Sequence, residues 1–344
     1  MSVAGPHILV VGAGALGLTC AYFLQRSGAR ISFLVRPHRA EALSQPQTLY
    51  HYNDHSLQTL DDYSVLTDPA ALQGQSFDFV LLTLDGATCR SEQGVATLEA
   101  LGTALADGDA GLIICGVGIG LYEHVRANTG MTDARLLQGT MKMFAYQVGS
   151  PGTPQPPAEY AGVHDSADIA YLSFPDRVGF ILASKPGPAA KAFAEVYNRS
   201  GESSCQLLPA GIYAASTSMF SPFILASAIN GWQGTESLLA DSELWRLCCR
   251  SQREILRLKR FGLTGKLLAL LMTNGSLAKK MRETDRDAAS MGYTAFNRYH
   301  HGAKVLAQNV QILENCVTAG DNSGQELAAT RSLLERFRAV NDGV

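Results

Sequence analysis

The chain has 344 residues, a formal net charge of −3 and a hydrophobic share of 46%, which is typical of a globular protein with room for two domains. This charge excludes the basic surface of a nucleic-acid-binding protein, and no apolar run reaches the roughly 18–20 residues that span a bilayer. The seven cysteines are scattered without a CxxC pair, so neither a zinc site nor a disulfide framework is expected. We expect a cytoplasmic protein that binds a small molecule, without nucleic-acid or membrane partners.

Short apolar strands alternate with helices in the first part of the chain. Strands are predicted at residues 7–11, 31–35, 78–84, 111–115 and 136–148, with two short ones within 169–182. Helices are predicted at residues 18–27, 92–106 and 186–200. Such alternation is typical of a doubly wound α/β sheet.

The pattern becomes helical after Pro209. Helices are predicted at residues 220–239, 242–261, 265–272, 294–317 and 325–340. We therefore predict an α/β Rossmann-type domain over residues 1–205 and an all-α domain over residues 206–344. The long helices of the second domain offer an interface for a homodimer.

A glycine loop directly follows the first strand. Residues 12–17, Gly-Ala-Gly-Ala-Leu-Gly, fit the G-x-G-x-x-G pattern within a strand–helix–strand unit, and this context makes the pattern specific. Gly12 permits a tight turn, Gly14 lets a pyrophosphate approach the backbone, and Gly17 lets helix and strand pack closely. With Ala15 and Leu16, these residues are the predicted dinucleotide site, since the helix N-terminus attracts phosphate. The alternative is a glycine turn that serves only the fold.

The residues after the second strand indicate which dinucleotide binds. NAD sites place an acidic residue there to bind the ribose 2′-hydroxyl, whereas this chain has Arg36 and Arg39 and no acid before Glu41. A guanidinium pairs with a 2′-phosphate through charge-assisted hydrogen bonds. The sequence therefore favours NADP(H) over NAD(H), although both arginines could equally be solvated surface charges.

Six segments carry a pattern that extends beyond the glycine loop. They are residues 8–17, residues 34–36 ahead of 41–43, and residues 79–84, 118–120 and 228–230. Together they resemble the ketopantoate reductase family, the relatives of 2-dehydropantoate 2-reductase. The resemblance implies an NADPH-binding Rossmann domain, a helical C-terminal domain and an active site in the cleft between them.

The catalytic pattern of that family is largely missing. Where the family carries a lysine general acid followed at four-residue intervals by two asparagines, this chain has Pro222, Ala226 and Asn230. The family serine that holds the substrate carboxylate corresponds to Thr294, and a later glutamate falls on Leu306. Only Asn230 and Thr294 are thereby carried over as substrate-side residues.

The cofactor side also departs from the family. A lysine after the third strand is replaced by Asp85, and an Asn-Gly pair by the dipeptide at residues 117–118. The resemblance places Asp85 beside the nicotinamide, where a carboxylate would disfavour an anionic 2-keto acid. The alternative is a surface loop residue.

Reduction of a ketone needs a proton donor or an electrostatic stabiliser at the oxygen, so other residues must replace the missing lysine. Lys142, flanked by methionines, would be a usable acid if partly desolvated, although a surface lysine is the simpler interpretation. His300 and His301 belong to a polar cluster and could titrate near neutrality, or could be structural.

Three functions therefore remain open. The favoured one is an NADPH-dependent reductase of a ketone, imine or activated alkene, with a rebuilt active site. The others are a non-redox isomerase, cyclase or dehydratase of specialised metabolism on the same scaffold, and a nucleotide-binding module without catalysis. Loss of polar anchors beside retained aromatic residues favours a substrate larger and less charged than ketopantoate. Those aromatic residues are Phe144, Tyr146, Phe220, Phe223 and Trp232.

Overall fold

The computed structural model describes residues 5–184 and 187–341, and these form two compact units. The first contains the described residues up to Pro151 and those from Gln155 to Pro209. The second contains Gly152–Pro154 and the described residues from Ala210 onward. The first unit is mixed α/β and the second is helical, as the sequence predicts for the fold class.

The first unit holds all the described strands. They are β1 (His7–Val11), β2 (Arg30–Leu34), β3 (Gln47–His51), β4 (Ser56–Leu60), β5 (Tyr63–Leu66), β6 (Phe79–Leu82), β7 (Gly111–Ile114), β8 (Leu136–Met141), β9 (Met143–Gln147), β10 (Ile169–Ser173), β11 (Val178–Ser184) and β12 (Ser204–Pro209). Its helices are α1 (Ala15–Arg26), α2 (Pro37–Ala40), α3 (Gly86–Arg90), α4 (Glu92–Ala104), α5 (Leu121–Thr129), α6 (Ala161–Asp165) and α7 (Ala189–Asn198). Two short 3₁₀ turns lie at Pro69–Leu72 and Ala158–Tyr160.

The strands form two sheets. The larger has the order β12-β11-β8-β7-β6-β1-β2-β5, and all its neighbours are parallel except β11 and β8. The smaller has the order β4-β3-β10-β9. In the larger sheet the order reverses at β1, which has β2 on one side and β6 on the other. Ligands of doubly wound sheets bind at such a switch point, beyond the carboxyl ends of the strands.

Helix α1 lies between the two sheets, because its sequence is apolar on nearly every side. Residues 17–24 are all buried, and Phe23 meets Tyr171 of the smaller sheet edge to face, with 5.8 Å between ring centroids. Ile8 and Val10 of β1 belong to this same core, whereas Leu9 and Val11 face a second core beneath α4 and α5. The rigid packing on both faces of β1 fixes the position of the loop that follows it.

The second unit is formed by the C-terminal helices. They are α8 (Ala210–Ser218), α9 (Ser221–Ile229), α10 (Thr235–Ala240), α11 (Ser242–Leu256), α12 (Gly262–Leu271), α13 (Asn274–Asp287), α14 (Tyr293–Tyr299), α15 (Leu306–Asn322) and α16 (Ala328–Val340). A 3₁₀ turn lies at Lys259–Phe261, and one π-helical turn occupies His300–Lys304. Helices α9, α11 and α16 pack together, and residues 221–226 of α9 are all buried. The segment Ala210–Ile229 has the length and hydropathy of a membrane span. However, 56% of its most apolar stretch is buried inside the protein, as in a core helix.

Three predicted elements prove to be interrupted. Residues 136–148 form two strands in different sheets, because the chain passes at Lys142 from β8 of the larger sheet to β9, which pairs with β10 of the smaller sheet. The helix predicted at 220–239 ends at Ile229, where left-handed backbone follows at Gly231 and Trp232, with φ of 67° and 57°. The helix predicted at 294–317 is interrupted by the π-helical turn.

Candidate functional site

The glycine loop lies at the switch point of the larger sheet. Gly12 has a φ of +101° and donates its N–H to Leu34 O of the neighbouring strand at 2.9 Å, so the chain turns sharply out of β1. A Cβ at Gly12 would stand 2.8 Å from Thr83 Oγ1, and one at Gly17 would stand 2.6 Å from Gly12 O. Both glycines are therefore required by the close approach of loop, strand and helix.

Gly14 differs from its neighbours because nothing lies near it. It is exposed, it stands at the N-cap of α1, and a Cβ there would meet no atom within 4 Å. No side chain caps α1, and its first turn contains no acidic residue, so the first N–H groups at Ala15, Leu16 and Gly17 face an open, electropositive end. This is the geometry of a backbone cradle for phosphate.

The two arginines after β2 occupy different environments. Arg36 is exposed, and within the described residues its guanidinium makes no hydrogen bond or ion pair. Arg39 is half-buried, donates to Ala13 O of the glycine loop at 3.3 Å, and lines an open crevice of about 360 Å³. Arg39 therefore supports the loop, whereas Arg36 is available to a ligand.

Asp85 and Lys142 both have partners in the first unit. Asp85 caps α3, and its carboxylate accepts from Thr88 N at 2.7 Å and Thr88 Oγ1 at 3.0 Å. Lys142 forms an ion pair with Asp176, and its ammonium lies 5.5 Å from the centre of the Phe174 ring. Asp85 therefore has a structural role as a helix cap, and Lys142 is held in an ion pair.

Asn230 and Thr294 are brought together in the helical unit. Both line a small cavity of about 10 Å³, which has room for one water-sized group. The lining residues are Phe223, Ser227, Asn230, Trp232, Gly234, Thr235, Tyr293, Thr294 and Asn297. Pro222 and Ala226, which the family resemblance aligns with the lysine and the first asparagine, are buried in α9 and are not among the lining residues.

His300 and His301 begin the π-helical turn, a feature often found at functional sites. The ring of His300 stacks on Phe296, and it meets His301 edge to face with 4.7 Å between centroids. Burial, with the nearby Lys304 charge, lowers the pKa of His300 to about 4. Burial, with His300, lowers the pKa of His301 to about 3. Both rings are therefore neutral at neutral pH.

The neutral His301 ring has a defined tautomer. Its Nδ1 lies 3.3 Å from the Asn309 amide nitrogen, which can only donate, so Nδ1 accepts and Nε2 carries the proton. His301 can therefore donate a hydrogen bond at neutral pH, but it holds no second proton to transfer.

Sequence reasoning missed Thr83 and Thr235, whereas Asn297 belongs to the predicted polar cluster that includes His300 and His301. Thr83 Oγ1 donates to Val11 O and Gly12 O at 2.9 and 3.0 Å and so anchors the glycine loop. No local signal marks Thr83 or Thr235, because each acquires its role from packing. Of the aromatic residues considered for a substrate pocket, Tyr146 is instead fully buried and hydrogen bonded to His164 Nε2 at 2.8 Å.

Comparison with known proteins shows which family the first unit resembles. Residues 8–155 match the family model described as ketopantoate reductase PanE/ApbA. A search of curated proteins finds no match. Residues 8–155 are therefore similar to the ketopantoate reductase family.

Solved structures extend this similarity to the whole fold. The 2-dehydropantoate 2-reductase of Geobacter metallireducens GS-15 is 18% identical, with a TM-score of 0.69 over 97% of this chain and 99% of that one. D-Mandelate dehydrogenase in complex with NADH is 13% identical, with a TM-score of 0.66 over 98% and 99%. The dimeric ketopantoate reductase of Staphylococcus aureus is 14% identical, with a TM-score of 0.61 over 97% and 98%. The chain thus has the ketopantoate reductase fold.

Proposed function

We propose that this chain, with its ketopantoate reductase fold, is an NADPH-dependent reductase of a ketone, imine or activated alkene. The observation that carries the proposal is the open cradle at Gly14, at the start of α1 and at the switch point of the sheet. Proteins of this fold include a dehydrogenase solved with NADH. When bound, a reduced nicotinamide supplies a hydride equivalent to an unsaturated carbon.

The residues of the first unit fit a dinucleotide. The N–H groups at the start of α1 would hold the pyrophosphate, and Gly14 would leave room for it. Arg36, exposed and without a partner within the described residues, would bind a 2′-phosphate, and Arg39 would keep the loop in place. The preference for NADP(H) over NAD(H) rests on Arg36. Asp85 would have an indirect role in the cofactor site. It caps α3 and so would keep that helix in place beside the sheet edge that carries the glycine loop.

The residues of the helical unit would bind and polarise the substrate. Asn230 and Thr294 line the small cavity and can hydrogen bond to a polar substrate group. His300 and His301 are neutral and would act as N–H donors toward developing negative charge on oxygen. Lys142 is the remaining candidate for an acid, and it would have to leave Asp176 to act.

The chain also supports two proposals about its state in the cell. All seven cysteines are free, which agrees with a reducing cytoplasm.

Helix α12 has an exposed apolar stripe. Its leucines, which are 59–77% exposed, are Leu263, Leu267, Leu270 and Leu271. We propose that this stripe pairs with a second copy in a homodimer, as an exposed apolar patch often marks an interface. The Staphylococcus aureus reductase of the same fold is dimeric.

The test compares cofactor binding and turnover in two glycine variants. NADPH binding is followed by fluorescence, and NADPH oxidation is measured with a panel of ketones, imines and enones. Gly14→Ala should weaken NADPH binding by at least about tenfold, because its Cβ enters the cradle. Gly108→Ala is the matched control, because that glycine is also exposed with no atom within 4 Å of a Cβ.

Each alternative function predicts a different outcome. Substrate-dependent NADPH oxidation supports the reductase. Turnover of a substrate without nicotinamide oxidation would favour the non-redox enzyme of specialised metabolism. Nucleotide binding without any turnover would favour a binding module, and equal NADPH affinity in the two glycine variants would contradict the cradle.

A further inference from the structure

The small cavity in the helical unit has a neutral lining. None of its lining side chains carries a formal charge, and Phe223, Trp232 and Tyr293 provide aromatic walls. The rings of Phe223 and Tyr293 are stacked with 6.2 Å between centroids and 25° between planes. A carboxylate that entered this cavity would lose its hydration without meeting a positive partner on the lining.

Three polar atoms of the lining have no hydrogen-bond partner among the described residues. They are Asn230 Oδ1, Thr235 Oγ1 and Asn297 Oδ1, and all three are buried. Thr235 and Asn297 are only 5% and 2% exposed. Because buried polar atoms are normally paired, the lining indicates that a hydrogen-bonding group occupies the cavity.

The unpaired atoms of the two asparagines are acceptors. The Asn297 amide nitrogen donates to Tyr293 O at 2.9 Å, and this bond fixes the amide so that its oxygen is the unpaired atom. The Asn230 nitrogen donates to Ser237 Oγ at 3.3 Å, and that hydroxyl donates in turn to Gln233 Oε1 at 3.3 Å. The asparagine oxygens therefore require a donor, not another acceptor.

The Thr235 hydroxyl completes this arrangement, since it can accept from the same donor or donate to its lone pair. The cavity volume of about 10 Å³ limits the bound group to one heavy atom. A hydroxyl oxygen or an amino nitrogen satisfies both conditions, and a carboxylate satisfies neither.

We propose that this cavity binds a hydroxyl or amino group of the substrate, so that the enzyme selects an uncharged or cationic hydrogen-bond donor where ketopantoate presents a carboxylate. The inference rests on the proposed reductase function for the reacting carbonyl, but the binding preference itself does not depend on turnover.

The test uses four phenyl ketones that differ only beside the carbonyl. They are 2-hydroxyacetophenone, 2-aminoacetophenone, propiophenone and phenylglyoxylate. Binding to the protein saturated with NADP⁺ is measured by calorimetry, and reduction is measured by NADPH oxidation. The hydroxy or amino ketone should bind at least about tenfold more tightly than propiophenone, which has no donor, and phenylglyoxylate should bind most weakly. Whichever of the hydroxy ketone and the amino ketone binds more tightly identifies the donor group that the cavity prefers.

Thr235→Val links this preference to the cavity. Valine matches threonine in shape, so the variant should fold while the preference for the donor ketone falls by about tenfold. Propiophenone binding should change by less than about twofold, and Thr235→Ser should restore the preference. Thr284→Val is the control, because Thr284 is on α13, bonds Lys280 O at 3.0 Å and does not line the cavity.

Two results would overturn the inference. One is binding of phenylglyoxylate as tight as that of the donor ketones. The other is a donor preference that Thr235→Val leaves intact, which would mean that a bound water satisfies the three atoms. A Thr235-dependent preference without NADPH oxidation would support the inference about the cavity and contradict the proposed reductase function. NADPH oxidation without that preference would support the reductase function and contradict the inference.

Discussion

Replacement of Arg36 and of Arg39 by alanine should have different effects on cofactor binding. Arg36 is exposed and is proposed to contact only the 2′-phosphate, so Arg36→Ala should weaken NADPH and leave NADH unchanged. Exposed ion pairs contribute up to about 1 kcal/mol, and hydrogen bonds to charged groups up to about 3 kcal/mol. We therefore expect Arg36→Ala to lose about 1–2 kcal/mol of the free energy of NADPH binding, which corresponds to about 5- to 30-fold weaker binding. Arg39→Ala removes the bond to Ala13 O and should weaken both cofactors.

Fluorescence titration with both cofactors measures these losses, and Arg199→Ala provides the control. Arg199 is exposed in the same unit, so its replacement removes an equal charge away from the glycine loop. The NADPH loss in Arg36→Ala should also shrink at high salt, because exposed charges are screened. Equal affinity of the parent protein for NADPH and NADH, or an equal loss of both in Arg36→Ala, would refute the reasoning.

Three further predictions concern stability and assembly. Gly17→Ala places a Cβ 2.6 Å from Gly12 O and should lower the free energy of unfolding by about 1–3 kcal/mol in urea denaturation. His300 and His301 titrate near 6.5 when unfolded but have pKa values of about 4 and about 3 when folded. Their contribution to the free energy of unfolding is therefore fully present above pH 6.5. It is lost as pH falls toward the folded-state pKa values, by at most about 1.4 kcal/mol per pH unit for each ring. Replacing both by glutamine should flatten the pH dependence of unfolding, and an unchanged slope would contradict burial of neutral rings. Leu267→Glu should convert a dimer to a monomer in sedimentation velocity, whereas an unchanged mass would reject the α12 stripe as the interface.

The first strand and glycine loop could be predicted because their signals are local. The apolar run at residues 7–11, the glycines and the helix that follows all occur within one short segment, and the strand is confirmed at the predicted residues. Helix α1 begins at Ala15, before the predicted residue 18, because the helix already starts within the glycine loop. The break after Ile229 has one local signal, because the dipeptide Asn230-Gly231 is typical of turns, but the left-handed backbone of Trp232 is one that its residue type disfavours.

The candidate site in the helical unit depends on packing between distant segments. Thr235 begins α10 and Asn297 lies within α14, and only the folded helices bring both to one cavity. The π-helical turn also packs against a distant segment, because a Cβ at Gly302 would stand 2.8 Å from the Trp232 ring. Periodicity predicts a continuous helix through this region, since it registers apolar spacing and not such close contacts.

The cavity lining contains no lysine, and its neutral character has a physical consequence. A lysine holds a proton at neutral pH, whereas His300 and His301 do not hold a second one, so the two histidines cannot replace it as proton donors there. They can still stabilise developing negative charge as N–H donors, as the Thr294 hydroxyl can. A site that stabilises oxygen without formal charge holds an anionic substrate less strongly than a site with a lysine does. The neutral lining and its unpaired acceptors therefore both favour a substrate without a carboxylate.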